Sequence, residues 1–155
     1  MATFDVGSLT PDQIAALTTA QLATLTGAQW ALLSADQVVA LTTLQVASLN
    51  ARQLSFMASG HLSAMETADI QALNTAALRT LTTNALAVLT TDQIHALSSD
   101  QMPALTVDRL RRMTSDQFSA LDSQQVAAMS SVQIRGLGSQ QIQLLTTDEV
   151  GVLST

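Results

Sequence analysis

The densest group of charged side chains in the sequence is three arginines, Arg109, Arg111 and Arg112. They are half of the six basic residues, all of which are Arg. Clustered guanidinium groups can bind a carboxylate-rich surface, which would make this segment a docking patch for an acidic partner protein. The simpler interpretation is a solvated helix face on which Arg109 pairs with a neighbouring aspartate. The sequence leaves both interpretations open.

Catalytic and metal chemistry has no comparable candidate. His61 and His95 are far apart in the sequence and stand at different positions of the repeat described below, which predicts two separate histidines rather than a shared site. Ser and Thr are abundant, yet none stands with a base and an orienting acid at the spacing of a nucleophilic triad. The absence of Cys excludes a disulfide scaffold, a thiol redox centre and a zinc ribbon. We therefore expect no enzyme activity, catalytic residue, cofactor or metal ligand.

Composition narrows the remaining classes of protein. The 155 residues carry a net charge of −6, and an acidic chain without Lys is a poor nucleic-acid binder. No apolar stretch is long enough to cross a membrane, so we expect no membrane insertion. The N-terminal residues MATFDVGSLT lack the basic and apolar regions of a signal peptide. That is expected of a bacterial cytoplasmic protein or of one secreted without a cleavable N-terminal signal.

One eight-residue repeat accounts for the whole sequence. Residues 9–152 divide into 18 units without an insertion, and their consensus is L-T-T-D-Q-[ILV]-A-A. Position 1 of these 18 units is always Leu or Met, position 6 is always a large apolar residue, and position 5 is Gln in 12 of them. Residues 1–8 form a degenerate unit and residues 153–155 a partial one. We therefore interpret 1–155 as a single repeat array.

Each unit has the features of a helix start. Positions 2 to 5 read T-x-x-Q, the capping box in which the Thr hydroxyl and the Gln side chain each bond the other residue's backbone N–H. A new start every eight residues predicts an all-α solenoid, or superhelix, of very short helices with a Thr or Ser N-cap at every corner. A coiled coil is rejected because the apolar stripe would slip by about 80° per unit around a continuous helix. Strands are rejected because positions 1 and 6 would face opposite sides of a sheet.

Departures from the consensus refine this prediction. Trp30 stands at position 6 and several Met at position 1, so both are expected in the core. Pro103 is expected to distort its turn. Units 57–88 lose the Gln of position 5 and contain the two atypical caps, Ala58 and Glu66, which indicates either drift in a tolerant array or a bend or partner site there. Large side chains at position 8 recur every three to four units, which suggests a superhelical turn of that size: Leu32, Phe56, Val88, Arg112 and Leu144.

The units LTPDQIAA and LTTDQIHA resemble the tandem L-T-x-x-Q segments of large bacterial surface and secreted proteins, often described as haem-utilisation or adhesin-like. The resemblance carries over no functional residue and no haem ligand. It favours a non-enzymatic spacer or scaffold in a bacterial surface, secreted or effector protein. One alternative is a protein- or peptide-binding solenoid, and another is a Thr/Ser array that binds ice or polysaccharide. The expected partners are another protein or further copies of the chain joined end to end.

Overall fold

The structure, a computed structural model, describes residues 5–57 and 59–153. Across these residues the regular structure is helical, with about one short helix per repeat unit, as the sequence predicts. Val6–Ser8 and Ser99–Ala104 are 3₁₀-helices. The α-helices are α1 Pro11–Ala15, α2 Thr19–Ala23, α3 Gly27–Ala31, α4 Ala35–Val39, α5 Thr43–Ala47, α6 Ala51–Phe56, α7 Ser59–Ala64, α8 Thr67–Ala72, α9 Thr75–Leu78, α10 Thr83–Ala87, α11 Thr91–His95, α12 Val107–Arg111, α13 Ser115–Ser119, α14 Ser123–Ala127, α15 Ser131–Gly136, α16 Ser139–Leu144 and α17 Thr147–Val152.

A capping box forms most of the corners between consecutive helices in the described residues. At Thr90 the backbone is extended, with φ −72° and ψ 163°, and the chain turns there from one helix into the next. The backbone N–H of Gln93 donates to Thr90 Oγ1 at 3.2 Å, and the N–H of Thr90 donates to Gln93 Oε1 at 2.9 Å. No residue in the described part of the chain has a positive φ, so these corners need no glycine. The prediction of a Thr or Ser N-cap is therefore confirmed at most corners but not at every one, because other residues occupy the N-cap at Asn50, Asn74, Asp122 and Gly138.

The short helices wind into a superhelix in which each packs on the helix three units further along the chain. For example, α5 packs on α8, and α14 packs on α17. Side-chain hydrogen bonds cross between turns over separations of 25 to 31 residues. One superhelical turn therefore takes three to four units, in agreement with the spacing of large position-8 residues.

Positions 1 and 6 fill the axis of the superhelix with a continuous apolar core. Side chains at position 6 are almost fully buried through most of the array, as at Ile14, Val46, Ile94 and Val126. Trp30, the residue of this position in its unit, is 0% exposed and lies in the core as predicted. The position-1 methionines are also buried: Met57, Met65, Met113 and Met129. Burial of each large apolar side chain contributes about 1.5–3 kcal/mol, which offsets the instability of an isolated one-turn helix.

The two sequence irregularities have different outcomes. Pro103 lies in the 3₁₀-helix Ser99–Ala104, so the predicted distortion at this unit is confirmed. Proline has no N–H to donate, and its ring clashes with the carbonyl four residues earlier in an α-helix, so a regular α-helical turn is disfavoured at this unit. Glu66 begins α8 without a side-chain cap. Ala58, the other atypical cap, lies outside the described residues.

Residues at positions 3 and 8 meet between neighbouring turns of the superhelix. A Cβ placed on Gly27 would come within 2.6 Å of the Phe56 ring. A Cβ on Gly136 would overlap the side chain of Val107. At both places glycine faces a large side chain, once at position 3 and once at position 8. The two pairs are therefore complementary in volume, which explains how Phe56 is accommodated at position 8 and Val107 at position 3.

Candidate functional site

The chemically distinctive group of this fold is the buried amide of the position-5 glutamine. Gln125 is 2% exposed, and its Oε1 accepts from the backbone N–H of Asp122 at 2.8 Å to complete the capping box. Its Nε2 points the other way and donates to carbonyls of the preceding turn, at 2.9 Å to Ile94 and 2.6 Å to Leu97. One side chain thus closes its own helix start and bonds the turn before it.

The same contact recurs along the array in one register. Nε2 of a position-5 Gln donates to the carbonyl of residue i−31 at position 6 and, in most units, to that of residue i−28 at position 1. We call this set of contacts the glutamine ladder; its members are Gln37, Gln45, Gln53, Gln93, Gln101, Gln117, Gln125, Gln133 and Gln141. The position-6 carbonyls also accept a backbone N–H of their own turn, as Ile94 does from Leu97, so the ladder bond matters most at the buried position-1 carbonyls, where leaving the carbonyl unpaired is costly.

Asn74 supplies the amide donor in a unit that has no position-5 glutamine. Its unit has Ala77 at position 5, so no glutamine is available there. The Oδ1 of Asn74, which is the N-cap, accepts from the N–H of Ala77 at 2.8 Å. Its Nδ2 donates to the carbonyl of Leu49 at 2.6 Å, the atom that a glutamine in this register would bond. An amide at the cap therefore combines the two tasks that Thr and Gln share elsewhere.

Arg109 makes the contacts of a ladder glutamine and is not a surface cation. It stands at position 5, is 7% exposed, and donates from Nη1 to the carbonyl of Leu78 at 3.0 Å. Its Nη2 donates to the carbonyls of Arg79, at 2.8 Å, and Leu81. The expected pairing of Arg109 with a neighbouring aspartate is therefore wrong. Burial lowers the pKa of Arg109 because the interior disfavours the charged form.

The other two arginines of the predicted patch remain exposed. Arg112 forms an ion pair with Asp108 at 3.4 Å, one helical turn away on the same surface. Arg111 Nε donates to the carbonyl of Gly136 in the next turn. It borders an open surface depression that also includes Phe118. The structure therefore separates the three predicted residues, with Arg111 and Arg112 at the surface and Arg109 between turns.

Two acidic residues occupy position 5 and change its chemistry. Asp69 is 4% exposed, and burial raises its pKa because the carboxylate loses its hydration. In the ladder register, the carbonyls assigned to this unit are those of Val38 and Leu41, and a carboxylate has no hydrogen to donate to a carbonyl. Glu149 Oε2 accepts from the N–H of Thr146 at 2.7 Å. It keeps the capping half of the glutamine function and lacks the amide that would bond the turn before it.

The histidines do not come together. His61 is buried at position 5, whereas His95 is exposed at position 7 and its Nδ1 lies 3.1 Å from the carbonyl oxygen of Ala120. Within residues 5–57 and 59–153, no group of three or more His, Asp or Glu is arranged to hold a metal ion. None of the helices described is long and apolar enough to cross a membrane.

The amide of the ladder is the functional group that the sequence interpretation missed. That interpretation gave the glutamine one role, as the acceptor of the capping box. A signal was present in the choice of residue, because Glu satisfies a capping box as well as Gln does and suits the helix dipole better. Yet position 5 is Gln in 12 of the 18 units and Glu in one. This preference is explained by the need for a donor at the same side chain.

A family model places the array among known repeats. The model of the ALTTAQ repeat matches the chain four times in tandem, at residues 62–99, 78–107, 98–131 and 126–155. These matches overlap and together cover 62–155, which is more than half of the chain. No curated protein and no solved structure matches the sequence significantly. The chain therefore belongs to the ALTTAQ repeat family.

Proposed function

We propose that the chain is a non-enzymatic structural module, a rigid spacer or scaffold within a bacterial surface, secreted or effector protein. The glutamine ladder is the observation that carries this proposal. A spacer must hold a fixed length, and a ladder in one register ties each superhelical turn to the turn before it. The resemblance of the units to repeats of large bacterial surface and secreted proteins supports the bacterial setting.

The distribution of polar groups supports a structural role. Side chains at position 2 accept from the third backbone N–H of their helices, as Thr10 and Thr90 do, which commits these hydroxyls to the corners. From Gln37 onward, the amides of the position-5 glutamines are committed to the ladder. The other solvent-facing side chains stand mainly at positions 3, 4, 7 and 8, and their residues vary along the chain. Such a surface suits a module whose geometry, rather than one particular chemical group, is its function.

Distance measurements between spin labels test the proposal. The chain has no Cys, so pairs of cysteines substituted for exposed position-4 aspartates can be labelled cleanly. We suggest Asp12 with Asp92 and Asp12 with Asp148, which are separated by ten and by seventeen repeat units. With three to four units per turn and about 9 Å between packed helices, the axial separations are roughly 26 Å and roughly 44 Å.

A rigid spacer predicts narrow distance distributions whose means increase with the number of turns. Asp12 paired with Asp36 serves as the matched control, because these residues are less than one turn apart. If the Asp12–Asp148 distance were no longer than the Asp12–Asp92 distance, the array would fold back on itself and the proposal would be wrong. A broad distribution at the longer pair alone would contradict the rigidity that a spacer needs.

A further inference from the structure

The glutamine ladder is interrupted over one complete turn of the superhelix. Four consecutive units, on α7 to α10, have another residue at position 5: His61, Asp69, Ala77 and Ala85. Ladder glutamines stand on both sides of this gap, up to Gln53 and again from Gln93. We call the interface between α7–α10 and the turn before them, α3–α6, the seam.

Three of the four side chains cannot donate to a carbonyl of the preceding turn. Ala77 and Ala85 end at Cβ, and the ionised carboxylate of Asp69 has no hydrogen. All three residues are buried, where an unmade hydrogen bond is costly. Asn74 restores one contact, from Nδ2 to the carbonyl of Leu49 at 2.6 Å. The units of Asp69 and Ala85 therefore lack the amide that joins other units to the turn before.

The next interface along the array has such a donor in every unit. Side chains that donate there to carbonyls of the preceding turn are those of Gln93, Gln101, Arg109 and Gln117. Apolar packing, in contrast, continues across the seam, because α4 packs on α7 and α5 packs on α8. The position-6 residues Leu62 and Ile70 are as buried as their counterparts elsewhere. The seam therefore differs from the next interface in its hydrogen bonds.

A buried donor in the turn before the seam also lacks a partner. Trp30 lies in α3 and is 0% exposed, and its Nε1 has no hydrogen-bond partner within the described residues. Such an N–H loses its bond to water on folding and gains none in return. Opening of this part of the array restores the bond to water, so Trp30 favours opening at the same place as the interrupted ladder.

We propose that the array consists of two cooperative units, residues 5–57 and 59–153, which separate at the seam before the neighbouring interfaces open. The stability of a solenoid is approximately a sum over its units and the interfaces between them, so the interface with the fewest favourable contacts opens first. This inference goes beyond the proposed spacer function. Without denaturant the seam is closed and the array keeps its length, whereas under stress the array yields at one defined place.

Two pairs of spin labels with the same spacing test the proposal. Asp36 and Asp92 lie on opposite sides of the seam, seven units apart, and Asp92 and Asp148 are also seven units apart without crossing it. All three aspartates are exposed at position 4, so cysteine can replace them for labelling. At neutral pH we expect the Asp36–Asp92 distance distribution to broaden at about 1 M lower urea than the Asp92–Asp148 distribution. Broadening of the second pair at the same or lower urea would overturn the proposal.

Restoring the missing amides tests whether the interrupted ladder is the cause. Asp69→Gln plus Ala85→Gln supplies the ladder side chain in both deficient units and should remove most of the difference between the two label pairs. The matched control is Asp116→Gln plus Ala87→Gln, which makes the same two changes at exposed positions and should leave the difference in place. If both variants had the same effect, the ladder would not determine where the array opens, and the proposal would fail.

Trp30 provides a readout without labels, because it is the chain's one tryptophan. In the unsubstituted chain its fluorescence should change at lower urea than the far-UV circular dichroism, which reports the helices of both units. Coincident transitions would show a single cooperative unit and contradict the proposal. The spacer proposal is tested separately, because the Asp12–Asp148 distance is measured without urea, when the seam is closed.

Discussion

Replacing Gln93 with alanine tests the energetic role of the ladder. Gln93 is 3% exposed, and its Oε1 accepts from the N–H of Thr90 at 2.9 Å. Its Nε2 donates to the carbonyls of Leu62 and Met65, at 2.9 Å and 2.7 Å. Alanine removes these contacts together with the longer one from Nε2 to the Ser63 carbonyl at 3.3 Å. The Leu62 carbonyl keeps the bond from the Met65 N–H, whereas the Met65 carbonyl loses its short bond in the interior.

The expected loss follows from the number of contacts and their burial. At about 1 kcal/mol for each hydrogen bond, the cap bond and the two shortest ladder bonds correspond to about 3 kcal/mol, and the loss of the partner of the buried Met65 carbonyl raises this further. Gln21→Ala is the matched control, because Gln21 has the capping contact with Thr18 at 2.8 Å and no ladder contact. It should cost about 1 kcal/mol. Helix propensity favours alanine slightly in both variants, so it cancels in the comparison.

Urea unfolding followed by far-UV circular dichroism measures the difference. We expect the Gln93→Ala transition to lie at lower urea than the Gln21→Ala transition, by the equivalent of about 2 kcal/mol. The variant Gln93→Glu separates the two roles, because it keeps the cap acceptor and loses the donors. It should resemble Gln93→Ala more than the unsubstituted chain. Equal losses for Gln93→Ala and Gln21→Ala would show that the cap alone matters, and the ladder argument would fail.

Three further changes have defined outcomes. Asp69→Gln should stabilise the chain at neutral pH and make its free energy of unfolding less dependent on pH. Because burial raises the pKa of Asp69, the contribution of its protonated form to stability is present at low pH and is lost as pH rises through the folded-state pKa. Unfolding of both chains by urea, measured from pH 3 to pH 8, tests this; an Asp69→Gln variant less stable than the unsubstituted chain at neutral pH would contradict it. Gly136→Ala should cost about 1–3 kcal/mol through overlap with Val107, and Val107→Ala in the same chain should recover most of it in thermal unfolding. Thr90→Ala should cost about 0.5–2 kcal/mol and Thr91→Ala much less in urea unfolding, since only Thr90 caps α11; equal costs would contradict the register.

The local structure of this array could be predicted from sequence because the contacts that start each helix lie within a single unit. Thr90 and Gln93 specify a helix start through contacts between near neighbours in the chain, and the same pattern repeats along the array. The apolar residues at positions 1 and 6 then identify the core without knowledge of the superhelix. The distortion at Pro103 could be predicted for the same reason, because the effect of proline on a helix is confined to its own turn.

Contacts between turns could not be predicted in the same way. The bond from Gln125 to Ile94 spans 31 residues, and its register depends on the number of units in each superhelical turn. Arg109 was misjudged for this reason, because its own unit gives no sign that position 5 faces carbonyls of the preceding turn. The pairing of Gly27 with Phe56 likewise emerges only when the turns are stacked.

Hydrogen exchange of the glutamine side-chain amides, resolved by NMR, tests the central claim most directly. The ladder predicts that the Nε2 hydrogens of Gln93 and Gln125 exchange slowly, because they donate to buried carbonyls of the preceding turn. In dilute samples those of Gln13 and Gln21, which complete only capping boxes, should exchange at the rate of a solvated amide. If all four side chains exchanged at that solvated rate, the glutamines would not join the turns, and the account would be contradicted.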